Sequence, residues 1–358
     1  MHYEISGKGE DSIKNILDLD PVGAAGLMES LGEPAYRADQ VMKWIWAGGV
    51  TSFEFMTNVS KALRSKLGLE YRIFHPRVSR AETSTDGTVK FLMTMDDEKV
   101  VETVLIPAGT HYTQCLSTQV GCPMGCRFCS TGKMGFERNL TCGEIAGQVV
   151  SAVRFLKDQG DPLAVSNLVI MGMGEPLLNW TEVQKALNIF RHAQALNFSR
   201  RRITLSTVGV RGRLMDFGRS NLALPAISLH APDQSLRKSL MPGAAEYELG
   251  ALMDDLKSYP LAPRERITME YVMLKGVNDS PSQARDLVRL LSGLKCKINL
   301  LRYNPGEGAG FKCSSEESIA AFQDYLRSKD FTVMLRKSMG ADIHAACGQL
   351  KARCSSES

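Results

Sequence analysis

Cys122, Cys126 and Cys129 are spaced C-x3-C-x2-C within Gly121-Cys-Pro-Met-Gly-Cys-Arg-Phe-Cys-Ser130, directly after the strand-like run Cys115 to Val120. Three thiolates on one loop can each take one iron of a [4Fe-4S] cluster, and a fourth iron without a fourth local cysteine stays open to an outside ligand. An open iron does chemistry. The alternative is a structural zinc site, which needs a fourth ligand and usually a second C-x2-C or H-x3-H pair. The chain offers only scattered single cysteines at 115, 142, 296, 313, 347 and 354. Gly and Pro residues around the triplet mark a loop, against the reading of buried packing thiols.

Other candidate groups stand where apolar runs end. Met171-Gly-Met-Gly-Glu-Pro176 follows one such run; Gly174 lets backbone approach a ligand closely, and Glu175 can hold an ammonium group. Ser206, the string Ser228-Leu229-His230 and Asn304 end three further runs, each offering a small polar group suited to a nucleotide-like ligand. Taken alone, each also fits a turn or cap.

These positions need a scaffold of alternating strands and helices. Strand-like runs at 116–120, 167–171, 202–206, 223–229, 267–273, 297–302 and 331–336 are separated by helical stretches such as 141–157 and 181–195. Such alternation predicts a parallel sheet with right-handed crossovers. Six or seven units make a partial (β/α)6-type barrel with a lateral opening, and its active site belongs at the C-terminal rim of the strands. Before it, residues 81–110 read as a β-hairpin linker, with Lys90 to Met95, a turn at Asp96-Asp97 and Val100 to Ile106. Residues 1–80 read as a small helical domain, with Asp20-Pro21 as a helix start, apolar spacing through Tyr36 to Trp46, a stop at Gly48-Gly49 and a third helix over Val59 to Leu67. Trp44 and Trp46 fall inside that apolar pattern and read as core.

With 358 residues and 44% apolar composition, the chain can bury a sizeable core. No apolar stretch approaches the ~20 residues that span a bilayer, and the first residues lack a signal-peptide pattern. Nine cysteines without a paired framework fit a reducing compartment, so a cytoplasmic location is expected. Net charge is +4, but between Arg37 and Arg80 eight Lys or Arg stand against three acids. Arg200 to Arg202 with Arg211 and Arg213 form a second basic cluster, and Lys295 with Lys297 a third. Such patches attract a phosphate backbone or are simply solvated faces.

Together, Cys115 to Gly132, Met171 to Asn179, Ile227 to Pro232, Glu270 to Leu274 and Ala345 to Leu350 closely resemble the RlmN/Cfr family of radical S-adenosylmethionine (SAM) RNA methyltransferases. The resemblance runs from about residue 10 to residue 350. It implies a [4Fe-4S] cluster on Cys122, Cys126 and Cys129, with SAM chelating the free iron and split into methionine and a 5'-deoxyadenosyl radical. Gly174, Glu175, Ser206, Ser228, Leu229, His230 and Asn304 would bind SAM. The overall similarity favours the branch that methylates C2 of adenosine 2503 in 23S rRNA and of adenosine 37 in tRNAs; the C8-methylating resistance branch and a zinc-stabilised RNA-binding protein are the rivals. By the family's mechanism Cys347 carries the methyl group, Cys115 releases the RNA through a transient disulfide with Cys347, and Glu102 accepts a proton. Residues 111–345 would then be the barrel and 346–358 a loop and tail bearing the methyl-carrying cysteine. An electron donor such as flavodoxin and a monomeric state complete the expectation.

Overall fold

The computed structural model describes residues 13–306 and 310–352. Residues 1–12 of the expected helical domain and the tail from residue 353 on, with Cys354, lie outside the described residues. Asp20 caps α1 (Pro21–Ser30) by accepting from the Gly23 N–H at 3.0 Å, while Pro21 has no N–H to leave unpaired. α2 (Tyr36–Met42) widens into a π-helical turn over Lys43–Ala47, and α3 (Lys61–Glu70) is capped by Ser60. Trp46 is core, as expected; Trp44 is half-buried against it and donates its indole N–H to Asn58 Oδ1 at 2.6 Å.

The helical reading fails over the last ten residues of the 1–80 stretch. Tyr71–Arg72 pairs in parallel with Lys14–Asn15, and β1 (Arg77–Thr83) is an edge strand. Most of its side chains are exposed on both faces, so no apolar alternation announces it.

β1 begins a ten-stranded sheet whose spatial order follows the chain: β2 (Val89–Thr94), β3 (Val100–Pro107), β4 (His111–Cys115), β5 (Ala164–Ile170), β6 (Ile203–Thr207), β7 (Leu224–Ser228), β8 (Ile267–Met273), β9 (Cys296–Arg302) and β10 (Val333–Arg336). β1 to β4 pair antiparallel; β4 to β10 are seven parallel strands joined by six crossovers. The predicted partial barrel is therefore present, with two differences. The hairpin β2–β3 is no separate linker, because β3 pairs directly with β4 through Val104 and Cys115.

Crossover helices α4 (Cys142–Asp158), α5 (Trp180–Arg191), α6 (Arg213–Ser220), α7 (Gln234–Leu240), α8 (Leu249–Lys257), α9 (Pro281–Leu291) and α10 (Glu316–Arg327) connect the parallel strands. The helical module shares the main core with the barrel: a Cβ on Gly143 of α4 would stand 2.7 Å from Leu17 Cβ, so only glycine allows this approach. Cys142 is buried at that junction and Cys296 is buried in β9, both as packing thiols; Cys313 is half-buried.

The first parallel strand also differs from expectation. It is His111–Cys115 and not Leu116–Val120, because Leu116 to Thr118 bond to the loop after β5: Gly172 N–H to Leu116 O at 3.0 Å and Thr118 N–H to Met173 O at 2.8 Å. Beyond β10 the chain reaches the opposite sheet edge. Gly340 N–H donates to Asp86 Oδ2 at 2.8 Å, and Asp342 accepts from Ser84 Oγ at 2.6 Å and Thr85 N–H at 3.1 Å. This strap joins the two edges that an open barrel would leave apart.

Candidate active site at the C-terminal rim of the barrel

The cysteine loop is closed at its base. Gln119–Gly121 pairs with Phe136–Asn139, and Cys122 N–H donates to Gly135 O at 2.7 Å. Gly121 has φ +77°, and a Cβ there would stand 2.0 Å from Gly135 O, so no other residue fits the turn. All three thiols open into one cavity over the sheet. Burial pushes Cys122 up to about 12 and Cys126 well above the usual thiol range, and each neighbouring thiolate adds to the rise. Ligand thiols must lose their protons to metal, so such a set is poor at holding bare charge and suited to holding cations.

Among the described residues no three His, Cys, Asp or Glu side chains are grouped around a single ion. In a cluster each thiolate takes a different iron, and the sulfurs need not meet.

Glu175 is buried opposite the thiols. Its carboxylate accepts from Leu177 N–H at 2.9 Å, Thr207 Oγ1 at 2.6 Å and Val208 N–H at 2.9 Å. Burial raises its pKa against these three donors. A carboxylate has about four lone-pair sites, so one direction is left for an ammonium. Gly174 does line the cavity, yet its missing Cβ serves a different contact from the one expected. With φ +106°, a Cβ would meet Gln119 Cβ at 2.7 Å, so the missing side chain lets Gln119 pack against a residue that also lines the cavity.

Ser206 and Ser228 line the cavity with their hydroxyls 3.3 Å apart. His230, at φ +57°, accepts from Val272 N–H at its Nδ1 (3.1 Å), and burial pushes it down to about 3. The ring is thus neutral, with Nε2 carrying the proton. The Leu229 side chain is wholly in the core, and its N–H and C=O bond to Glu270 and Ala231, so it spaces its neighbours. Asn304 donates to Arg302 O at 3.2 Å and is not among the residues lining the cavity.

Cys115 and Cys347 face this same cavity. Both are free thiols. Burial carries Cys115 up to about 12, and the Cys347 charge adds to that rise while Arg336 opposes it. Cys347 is open to solvent; the protein around it raises its thiol, Arg336 lowers it, and Glu270 and Cys129 raise it.

Arg336, Glu270 and Asn299 were given no role from the sequence. Glu270 accepts from Asn299 Nδ2 at 2.8 Å on one rung of the sheet, and burial lifts it to about 7 against the pull of Arg336. For Arg336, a charged residue ending β10, position at the C-terminal rim was the available signal; Glu270 and Asn299 lie mid-strand.

Glu102 lies apart from the thiols. It lines a neighbouring groove with Arg80, Lys90 and Lys351, and the strap segment 347–351 runs between. Its Oε2 accepts from Lys351 N–H at 2.7 Å and its Oε1 stands 3.5 Å from Lys90 Nζ; burial raises its pKa against both.

The basic patches are less bare than the sequence implies. Arg37, Arg64, Arg72, Arg77 and Arg80 face Glu33, Glu54, Asp96, Glu98 and Glu82, four of which lie outside the 37–80 window. Arg200 pairs with Glu265 and Arg213 with Asp216. Lys297 acts on Glu270 within the barrel, which breaks up the third patch.

A parallel partial barrel with three cysteines after its first strand defines a class, and residues 116–288 match the Radical SAM superfamily. Enzymes of this class work with a [4Fe-4S] cluster and SAM. Residues 14–73 match the ribosomal RNA large subunit methyltransferase N-terminal domain. The chain is 53% identical over 343 residues to the dual-specificity RNA methyltransferase RlmN of Solidesulfovibrio magneticus, covering 96% of this chain and 98% of that one. It is 54% identical over 334 residues to that of Nitratidesulfovibrio vulgaris strain Miyazaki F, covering 92% and 91%. The crystal structure of a radical SAM methyltransferase from Sphaerobacter thermophilus superposes with a TM-score of 0.88 at 38% identity, covering 95% of this chain and all of that one. The chain belongs to the RlmN family of dual-specificity RNA methyltransferases. Among the described residues no helix is long and apolar enough to cross a membrane.

Proposed function

We propose that this protein methylates C2 of adenosine 2503 in 23S rRNA and of adenosine 37 in tRNAs. One observation carries the reading: two cysteines outside the ligand triplet, Cys115 and Cys347, open into the cavity that the triplet lines. C2 of adenine is an electrophilic carbon that cannot displace a methyl group from a sulfonium, and a cluster on Cys122, Cys126 and Cys129 with bound SAM supplies the one-electron chemistry this carbon needs. Glu175 would hold the SAM amino group, with Ser206, Ser228 and His230 beside it and Gly174 shaping the turn. Asn304, just past β9, would join them at the open end.

Cys347, as a thiolate, takes a methyl group by displacement; its S–C bond forms as the sulfonium S–C bond breaks. Arg336 favours that thiolate. The methyl carbon would join C2 once the radical chemistry of bound SAM has removed one of its hydrogen atoms, with one electron then taken back by the cluster. Glu102 accepts the C2 proton, Cys115 as a thiolate attacks the Cys347 sulfur, an S–S bond forms as the S–C bond breaks, and the carbon leaves with the bonding pair and takes up a proton to complete the methyl group. Glu102 is bonded to Lys351 N–H across the strap, so RNA entry would displace that segment. Arg201 and Lys43, on the basic surfaces, would meet phosphate. An electron donor such as flavodoxin, a monomeric state and a cytoplasmic location complete the proposal.

Nucleosides from rRNA and tRNA, analysed by mass spectrometry after anaerobic incubation with the iron-loaded protein, SAM and a reductant, test it. 2-Methyladenosine in both RNAs is expected. 8-Methyladenosine in rRNA would move the chain to the other branch.

A further inference from the structure

Arg237 on α7 is the largest fully buried side chain among the described residues. Its Nη1 donates to Ala244 O at 2.6 Å and Tyr247 O at 3.0 Å, its Nη2 to Val208 O at 2.6 Å, and its Nε has no partner. The acidic group acting on it is the thiol of Cys126, and no carboxylate does so among the described residues. A buried charge without a counter-charge is costly. Burial lowers the guanidinium only to about 10, so it remains a cation at neutral pH.

The segment that begins with α7 is bonded to the cysteine loop. Arg127 N–H donates to Leu240 O at 2.9 Å, and Gly243 N–H donates to Met124 O at 3.1 Å. A Cβ on Gly243 would stand 2.9 Å from Met124 Cα. Cys126, Met124, Val208, Leu240 and Met241 form a small apolar cluster distinct from the main core, which keeps the dielectric around the two groups low.

We propose that Arg237 is a positioning residue that supplies the buried counter-charge for the iron–sulfur cluster and raises its reduction potential. The inference rests on the reading that Cys122, Cys126 and Cys129 hold that cluster. Three thiolates on a dicationic four-iron core leave a net negative charge, and one-electron reduction adds another. A fixed cation close by in apolar surroundings stabilises the added electron, and net charge is one determinant of such potentials. The fan of three carbonyls fixes the guanidinium. The Val208 peptide also ties it to Glu175, since Val208 N–H bonds Glu175 Oε2 while Val208 O accepts from Arg237.

The test compares full-length wild type, Arg237→Gln and Arg237→Lys, each reconstituted with iron and sulfide and titrated reductively while the reduced cluster is followed by electron paramagnetic resonance. Gln is expected to shift the reduction equilibrium at least tenfold toward the oxidised cluster, about 59 mV lower for a one-electron couple. Lys is expected to stay within threefold of wild type. A Gln variant that titrates like wild type overturns the proposal, as does a Lys variant displaced as far as Gln. If Gln does not retain iron, Lys alone decides by the same threefold and tenfold limits. A wild type without a cluster signal, or Cys126→Ala with an unaltered one, would instead break the reading of the ligands.

Discussion

Cys115 and Cys347 share one cavity but stand on opposite kinds of structure. Cys115 ends β4, paired with Val104 on one side and Val169 on the other, and its C=O accepts from Thr103 Oγ1 at 2.6 Å. Cys347 sits on the irregular strap. Around it are single contacts: Ser130 N–H to Gly348 O at 2.7 Å, Thr131 Oγ1 to Leu350 O at 2.7 Å, and Gln349 Nε2 to Pro305 O at 3.0 Å. Under the proposed mechanism Cys347 would meet a methyl donor, a base and then another thiol and so would have to travel, whereas Cys115, which would end the reaction, could wait in a strand. Although Ala345, Ala346, Gln349 and Leu350 beside Cys347 are buried, isolated bonds in place of a ladder leave this segment the easier of the two to open locally.

The largest effect expected from this contrast is chemical. Cys347→Ala should bring RNA methylation below detection with the unfolding transition unchanged, because the residue is open to solvent and packs little. Cys115→Ala should instead leave RNA covalently joined to the protein, seen as a slow-migrating band on denaturing gels that ribonuclease removes. Equal behaviour of the two variants would break the assignment of separate roles.

Glu102→Gln keeps shape but cannot take a proton, and methylation should fall ~10²- to 10⁴-fold in single-turnover assays.

Acid should destabilise the fold. His230 is held near 3 and His75 near 4 by burial, both below the ordinary value of 6.5. These folded-state values are depressed, so the stability of the neutral rings is complete above pH 6.5 and declines as pH falls below it. The slope is at most about 1.4 kcal/mol per pH unit for each histidine. Urea midpoints between pH 7.5 and 5.5 should decline accordingly, and less steeply in His75→Gln.

The smallest effect concerns the strap. Asp342→Ala removes the acceptor for Ser84 and Thr85, and alkylation of Cys347 should speed up several-fold while that of buried Cys115 does not change.

Much of this site was legible in the sequence because its chemistry is local. The triplet falls within eight residues, and Met171 to Glu175 within five. Alternating apolar runs likewise revealed the parallel strands. What escaped depends on distant pairing. Asp342 and Ser84 are 258 residues apart, so no window reveals the strap. β1 is an exposed edge without apolar rhythm. Arg237 looks like any helical arginine until Val208, Ala244 and Tyr247 enclose it. That Gly174 also makes room for Gln119 was not legible, since Gln119 is distant in the chain.

The division of labour between the two thiols is tested most directly by peptide mass spectrometry of iron-loaded protein incubated with SAM bearing a deuterated methyl group, then with unlabelled SAM and RNA. The label should appear first on Cys347 alone and then pass to C2 of the target adenosine. Label on Cys115, or labelled RNA without prior labelling of Cys347, would contradict the account.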